Sequence, residues 1–207
     1  IFFLLLRTNS SISACLVGSE MCIRDRCQYS ADDGVASDWH LNHLGMLANS
    51  GASLLVIEAA GIERSGRITH GCFGLYSDDC EAALARVVAH CRRYGTAKLG
   101  IQLAHAGRKA SSQPPWEGGG ALEPGQDPWE TIAPSAIPFG PKWPTPREMT
   151  TDDMARVRDG FVQAAKRAVR AGIDAIELHA AHGYLLHSFI SPISNRRSDG
   201  YGGSLTA

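Results

Sequence analysis

Gly172-Ile173-Asp174-Ala175-Ile176-Glu177-Leu178-His179-Ala180-Ala181-His182-Gly183-Tyr184 is the run of residues on which the fold turns. A glycine is followed by a short segment, residues 173–178, that reads as a β-strand, and the strand leads straight into a cluster of polar residues. The residues before it read as a helix. Thr150 and Asp153 have capping-box spacing, with Asp replacing the usual Glu or Gln. Met154, Val157, Phe161, Ala164, Ala165 and Ala168 fall on one helical face. Asp152 and Asp153 stand at its start and Lys166, Arg167 and Arg170 at its end, as the helix dipole favours. Gly172 supplies the stop.

Working outward, the same alternation recurs upstream. Residues 39–49 predict a helix closed by Ser50-Gly51, and residues 52–57 are a nearly unbroken apolar run, as in a strand buried on both faces. Residues 78–94 carry Ala83, Leu84, Val87, Val88 and Cys91 at helical spacing before Gly95, and residues 97–103 read as another strand. Strands and helices joined in this order predict a parallel α/β fold. One connection is long. Nine of the ten prolines lie between Pro114 and Pro146, with Trp116, Trp129 and Trp143, so no regular element is expected there. A long loop rich in aromatics reads as a lid or binding wall.

Composition narrows the function. Twenty Lys+Arg against 21 Asp+Glu give a net charge of −1, which supplies no basic field for nucleic acid or an anionic membrane. No apolar run reaches the ~18 residues of a membrane span. The six cysteines form no C-x-x-C pair, which points to a reducing cytoplasm rather than a disulfide scaffold or zinc ribbon. Six apolar residues at the start fall short of a signal peptide. Neither a G-x-G-x-x-G fingerprint nor a P-loop is present.

In parallel α/β folds, sites form at the carboxyl ends of strands. Alternation puts Glu177 and His179 on one side of the strand, and His182 follows after a short loop. Two neutral imidazoles converging on one oxygen would stabilise negative charge developing there. Tyr184 is placed to donate a proton. The rival reading is a metal site built from His179, His182 and His187, although their spacing is not H-E-x-x-H. Gln102 lies on an otherwise apolar strand and must find partners, either a heteroaromatic ring or neighbouring backbone. Cys27 reads either as a redox-tuning thiol or as a small buried hydrophobe.

Cys27-Gln28-Tyr29-Ser30, Glu58-Ala59 with Gly66-Arg67, and the run Ile101-Gln102-Leu103-Ala104-His105-Ala106-Gly107-Arg108-Lys109 come first in a larger pattern. Ala133-Pro134-Ser135, His179-Ala180-Ala181-His182-Gly183-Tyr184-Leu185, Ser191-Pro192 to Asn195, Arg197, Asp199 and Tyr201-Gly202-Gly203-Ser204 complete it. In this order the chain resembles the old yellow enzyme family of flavin-dependent ene-reductases, and is similar to its bacterial NADPH dehydrogenases and xenobiotic reductases. The resemblance implies an eight-stranded (β/α)8 TIM barrel holding FMN at the carboxyl ends of its strands. It implies that Cys27, Ala59 and Gln102 contact the flavin. Tyr29 would line the substrate pocket, His179 and His182 would hold a carbonyl oxygen, and Tyr184 would be the proton donor. NADPH or NADH is then the reductant, a small-molecule enone the substrate, and a homo-oligomer the full-length assembly.

Two departures qualify these expectations. Residues 1–26 lack the family's first strand and read as a foreign junction, such as translated sequencing-library or frame-error sequence, so no strand is expected in them. Residues 27–207 then form an incomplete FMN-binding barrel domain with a Pro/Trp-rich loop at about 111–147. Roughly four of eight strands are expected, the N-terminal portion of a barrel truncated at about half. The primary reading is therefore an FMN-dependent ene-reductase fragment. The alternatives are a metal-dependent barrel hydrolase using His179, His182 and His187, and an inactive fragment.

Overall fold

In the computed structural model, residues 2–5 and 22–203 are described. In chain order the principal elements are β1 (Phe2–Leu5), β2 (Cys22–Arg24), α1 (Asp38–Ala48), β3 (Leu54–Gly61), α2 (Asp78–Tyr94) and β4 (Lys98–Ala104). They continue with β5 (Ile132–Ala133), β6 (Arg147–Glu148), α3 (Thr151–Arg170), β7 (Ala175–Leu178) and α4 (Leu185–Ile190). The main sheet has the order β1-β7-β4-β3-β2. Strands β2, β3, β4 and β7 are mutually parallel, and β1 runs antiparallel along the other side of β7. Each parallel strand thus lies beside the next parallel strand in sequence, with a helix in each crossover, which is the connection rule of a β/α barrel. Leu55, Ile57, Leu99, Ile101, Leu103 and Ile176 form the buried strand core, and Leu84, Val87, Val88, Val157, Ala164 and Ala168 bring the helices onto it.

Local chemistry explains the helix ends. Asp153 N donates to Thr150 Oγ1 at 3.1 Å and Thr150 N donates to Asp153 Oδ2 at 2.9 Å, closing the box at the start of α3. Ser77 Oγ accepts from Cys80 N at the start of α2. Gly172 has φ +92, the left-handed stop that few other residues adopt. Gly95 ends α2 for a different reason. Its backbone is extended, and a Cβ there would lie 2.4 Å from the carbonyl oxygen of Ala48. It is a point of close approach between helices, not a left-handed cap.

Three features depart from the sequence reading. First, residues 1–26 do contain strands: Phe2–Leu5 pairs with β7, and Cys22–Arg24 pairs in parallel with β3, in register Cys22 to Leu54 and Arg24 to Val56. A buried neighbouring strand supplies the pairing that local propensity does not announce. Second, the proline-rich segment retains short order, with 3₁₀ turns at Pro115–Glu117 and Pro124–Gln126 and the parallel pair β5–β6. Proline fits the first position of such turns, where no N–H is needed. Third, β3 runs to Gly61 rather than ending near Ile57, and it carries a bulge between Ile57 and Ala59 that leaves Glu58 out of the ladder with β4.

Candidate active site

At the carboxyl ends of the parallel strands lies a cavity of about 740 Å³. Cys27, Tyr29, Ala59, Gln102, His179, His182 and Tyr184 all line it, joined by Arg24, Glu177 and Pro115. Every residue singled out in the sequence for cofactor, substrate or proton transfer therefore borders one space.

His179 continues directly from β7, and its N–H donates to Leu103 O at 2.9 Å, so its backbone is fixed to β4. His179 Nδ1 accepts from Ala181 N at 3.4 Å, which leaves Nε2 to carry the proton. Burial, reinforced by His182, Arg24 and Lys109, pushes the His179 pKa down to about 4, so the ring is neutral at pH 7. The His179 and His182 rings meet edge to face with centroids 5.1 Å apart, and the Tyr184 ring lies 4.8 Å from His179. His182 has φ +59 and Gly183 φ +77, a tight left-handed turn that brings the second imidazole back to the first. Burial raises the Tyr184 phenol above its ordinary range, so it remains a proton carrier. His187 turns elsewhere: its Nδ1 accepts from Gly183 N at 2.7 Å. Among the described residues no group of three or more His, Cys, Asp or Glu is disposed to hold a metal ion.

The opposite wall is polar in a different way. The Gln102 amide donates not to neighbouring backbone but to Glu177 Oε1, at 2.7 Å. The same oxygen accepts from Arg24 Nη1, also at 2.7 Å, while Glu177 Oε2 is buried without a partner among the described residues. Glu177, buried as it is, was legible only as a residue facing the same way as His179, and its role as anchor for Gln102 was not. Cys27 is half-buried, and its thiol is held protonated by burial first and then by Cys72 and Glu58. Behind it, Glu58 Oε2 accepts from Gln28 N at 2.9 Å and fixes the segment that carries Cys27 and Tyr29. The bulge at Glu58 is what turns this carboxylate to that side while Ala59 returns to register opposite Gln102. Tyr29 itself has φ +52, and the exposed Trp116 ring packs edge-on against it at 5.6 Å.

The wall fits the pyrimidine edge of an isoalloxazine, which presents one N–H between two carbonyl oxygens. Gln102 Oε1 accepts no hydrogen bond among the described residues, and the Arg24 guanidinium is a donor beside it, both at the cavity wall. A parallel β/α sheet with such a cavity at its strand ends is the layout of a β/α-barrel enzyme, whose site lies at the carboxyl face. The chain belongs to the NADH:flavin oxidoreductase / NADH oxidase family, whose pattern matches residues 15–207. It is 48% identical over 183 residues to an NADH:flavin oxidoreductase of Gibberella zeae, covering 86% of this chain and 44% of that one. With an NADPH dehydrogenase of Geobacillus thermodenitrificans it shares 44% identity over 180 residues, covering 86% and 48%. Morphinone reductase superposes with a TM-score of 0.77 at 28% identity, covering 89% of this chain and 50% of that one. An old yellow enzyme from Pichia sp. AKU4542 gives 0.73 at 28%, covering 86% and 46%. The chain spans about half the length of these relatives, and its four parallel strands are the N-terminal half of their barrel.

Proposed function

We infer that this chain carries the substrate-activating half of an FMN-dependent, NAD(P)H-driven reductase of α,β-unsaturated carbonyl compounds. The observation that carries the reading is the convergence of His179, His182 and Tyr184 on the cavity that Gln102 and Cys27 share. Cys27, Ala59 and Gln102 would hold FMN, with the Gln102 amide oriented by Glu177. FMN, when bound, would supply the two-electron chemistry that passes hydride from NADPH or NADH to the β-carbon of the alkene. As hydride arrives, negative charge grows on the carbonyl oxygen. His179 and His182 bind that oxygen more tightly in the transition state than in the ground state, because their ring N–H donors meet a developing anion. Tyr184 gives its phenolic proton to the α-carbon, which completes addition of H⁻ and H⁺ across the double bond. Tyr29 bounds the substrate side of the cavity.

The test is a purified chain titrated with FMN and then supplied with NADPH and cyclohexenone. Flavin uptake with enone-dependent NADPH oxidation is expected. In the double variant His179→Ala/His182→Ala, turnover should fall by at least about 10²–10³, the loss typical of one oxyanion donor, while flavin affinity is nearly kept. A chain that takes up no flavin, or a double variant with undiminished enone turnover, would overturn the reading.

A further inference from the structure

Lys109 takes no part in substrate or cofactor contact above, beyond helping to lower the His179 pKa, yet it reaches into the middle of the site. It ends the 3₁₀ turn Gly107–Lys109 that follows β4, whereas the His182–Tyr184 turn follows β7. The two turns are packed closely. Leu185 N donates to His105 O at 3.0 Å, and a Cβ at Gly107, whose φ is +58, would lie 3.0 Å from Leu185 Cα. From this platform Lys109 Nζ donates to His182 O at 2.9 Å. The ammonium also lies 4.6 Å from the centroid of Tyr184 and 4.7 Å from that of Phe139.

Two considerations make this more than a surface contact. His182 is a non-glycine residue in the left-handed region, a strained conformation that persists only where surroundings fix it. The other polar groups of the turn are tied within the same segment: Gly183 N to His187 Nδ1, Ser188 Oγ to Gly183 O and Tyr184 N to Ala181 O. Among the described residues, Lys109 is the tie that reaches His182 from the turn after β4. The second consideration is charge. Lys109 is half-buried and, among the described residues, has no carboxylate partner; its neighbours are a carbonyl and two aromatic faces. Burial, with Arg108 nearby, pulls its pKa below the ordinary lysine value. A cation kept at that cost, over the ring that is to lose a proton, favours the phenolate form as it develops.

We propose that Lys109 is the positioning residue of this site, locking the His182–Tyr184 turn through the His182 carbonyl and setting its ammonium against the Tyr184 ring. This rests on the ene-reductase reading only for its consequence in turnover; the locking itself belongs to the chain alone.

The experiment compares wild type, Lys109→Met and Lys109→Arg in two ways. In the chain without added ligand, amide hydrogen exchange and imidazole and phenol resonances are followed by NMR. Lys109→Met should speed exchange at Gly183 and Tyr184 about tenfold or more, as expected for loss of one hydrogen bond to a charged donor. It should shift the His182 and Tyr184 ring signals while leaving exchange in α2 and β3 unchanged. Lys109→Arg should restore most of both effects. In the flavin-loaded chain, Lys109→Met should lower kcat for cyclohexenone about tenfold with KM for NADPH unchanged. Unaltered ring signals and exchange in Lys109→Met would overturn the proposal, and so would acceleration spread equally through α2 and β3. If wild type reduces no enone, the functional reading fails while the NMR comparison still decides the role of Lys109.

Discussion

His179 shows how one residue joins stability to chemistry. An unfolded imidazole titrates near 6.5, whereas burial and positive neighbours hold this one at about 4 in the folded chain. The folded form therefore binds the proton less readily than the unfolded form, and protonation favours unfolding. This contribution is constant above about pH 6.5 and is lost as pH falls from 6.5 toward 4, by at most about 1.4 kcal/mol per unit. Denaturant midpoints at pH 7.5 and 4.5 should separate less for His179→Asn than for wild type; an equal separation would show that the ring is not held neutral. The same residue scale shows where sequence reasoning stops. Alternation along β7 was enough to place Glu177 and His179 on one side. That Glu177 would claim the Gln102 amide depended on Arg24 and on β4 lying alongside, and neither is encoded near either residue.

At the scale of elements, what is local was legible and what is tertiary was not. The α3 box could be read from Thr150 and Asp153 because both partners lie within one turn. The strands after Ser53, Ala97 and Asp174 could be read because an apolar run between breakers has few other fates. The length of β3 and its bulge could not, since they answer to Gln102 and Gly74 on other segments. The strands within residues 1–26 were likewise invisible, being defined by β3 and β7. Gly95 is the sharpest case: its place just after the helical run was legible, but its close approach to Ala48 was not. Gly95→Ala should cost about 1–3 kcal/mol by driving α1 and α2 apart, seen as a lower melting temperature. Gly51→Ala, which meets no atom within 4 Å but has φ +87, should cost only the left-handed strain of about 1–2 kcal/mol. A loss at Gly95 no larger than that at Gly51 would show that it serves as a left-handed cap and not as a contact.

Across the whole molecule, the parallel sheet has two unlike rims. Its strand ends open on the polar cavity, while α3, β7 and α4 border an apolar groove of about 370 Å³ lined by Met154, Phe161, Val162, Leu178 and Phe189. An apolar recess of that size takes up hydrophobic dyes, so anilinonaphthalene sulfonate should brighten on binding the native chain. Val162→Asp, at a half-exposed position on the rim, should remove most of the signal without lowering the melting temperature; undiminished brightness would place the dye elsewhere. The polar cavity offers a readout of its own. Trp116 is 68% exposed and touches Tyr29 at the cavity wall, whereas Trp129 is anchored by its indole N–H to Ser65 O and Trp143 packs on Phe139. Emission from Trp116 should therefore dim or shift colour when the chamber fills, giving the protein a built-in optical gauge of occupancy that Trp116→Phe would silence.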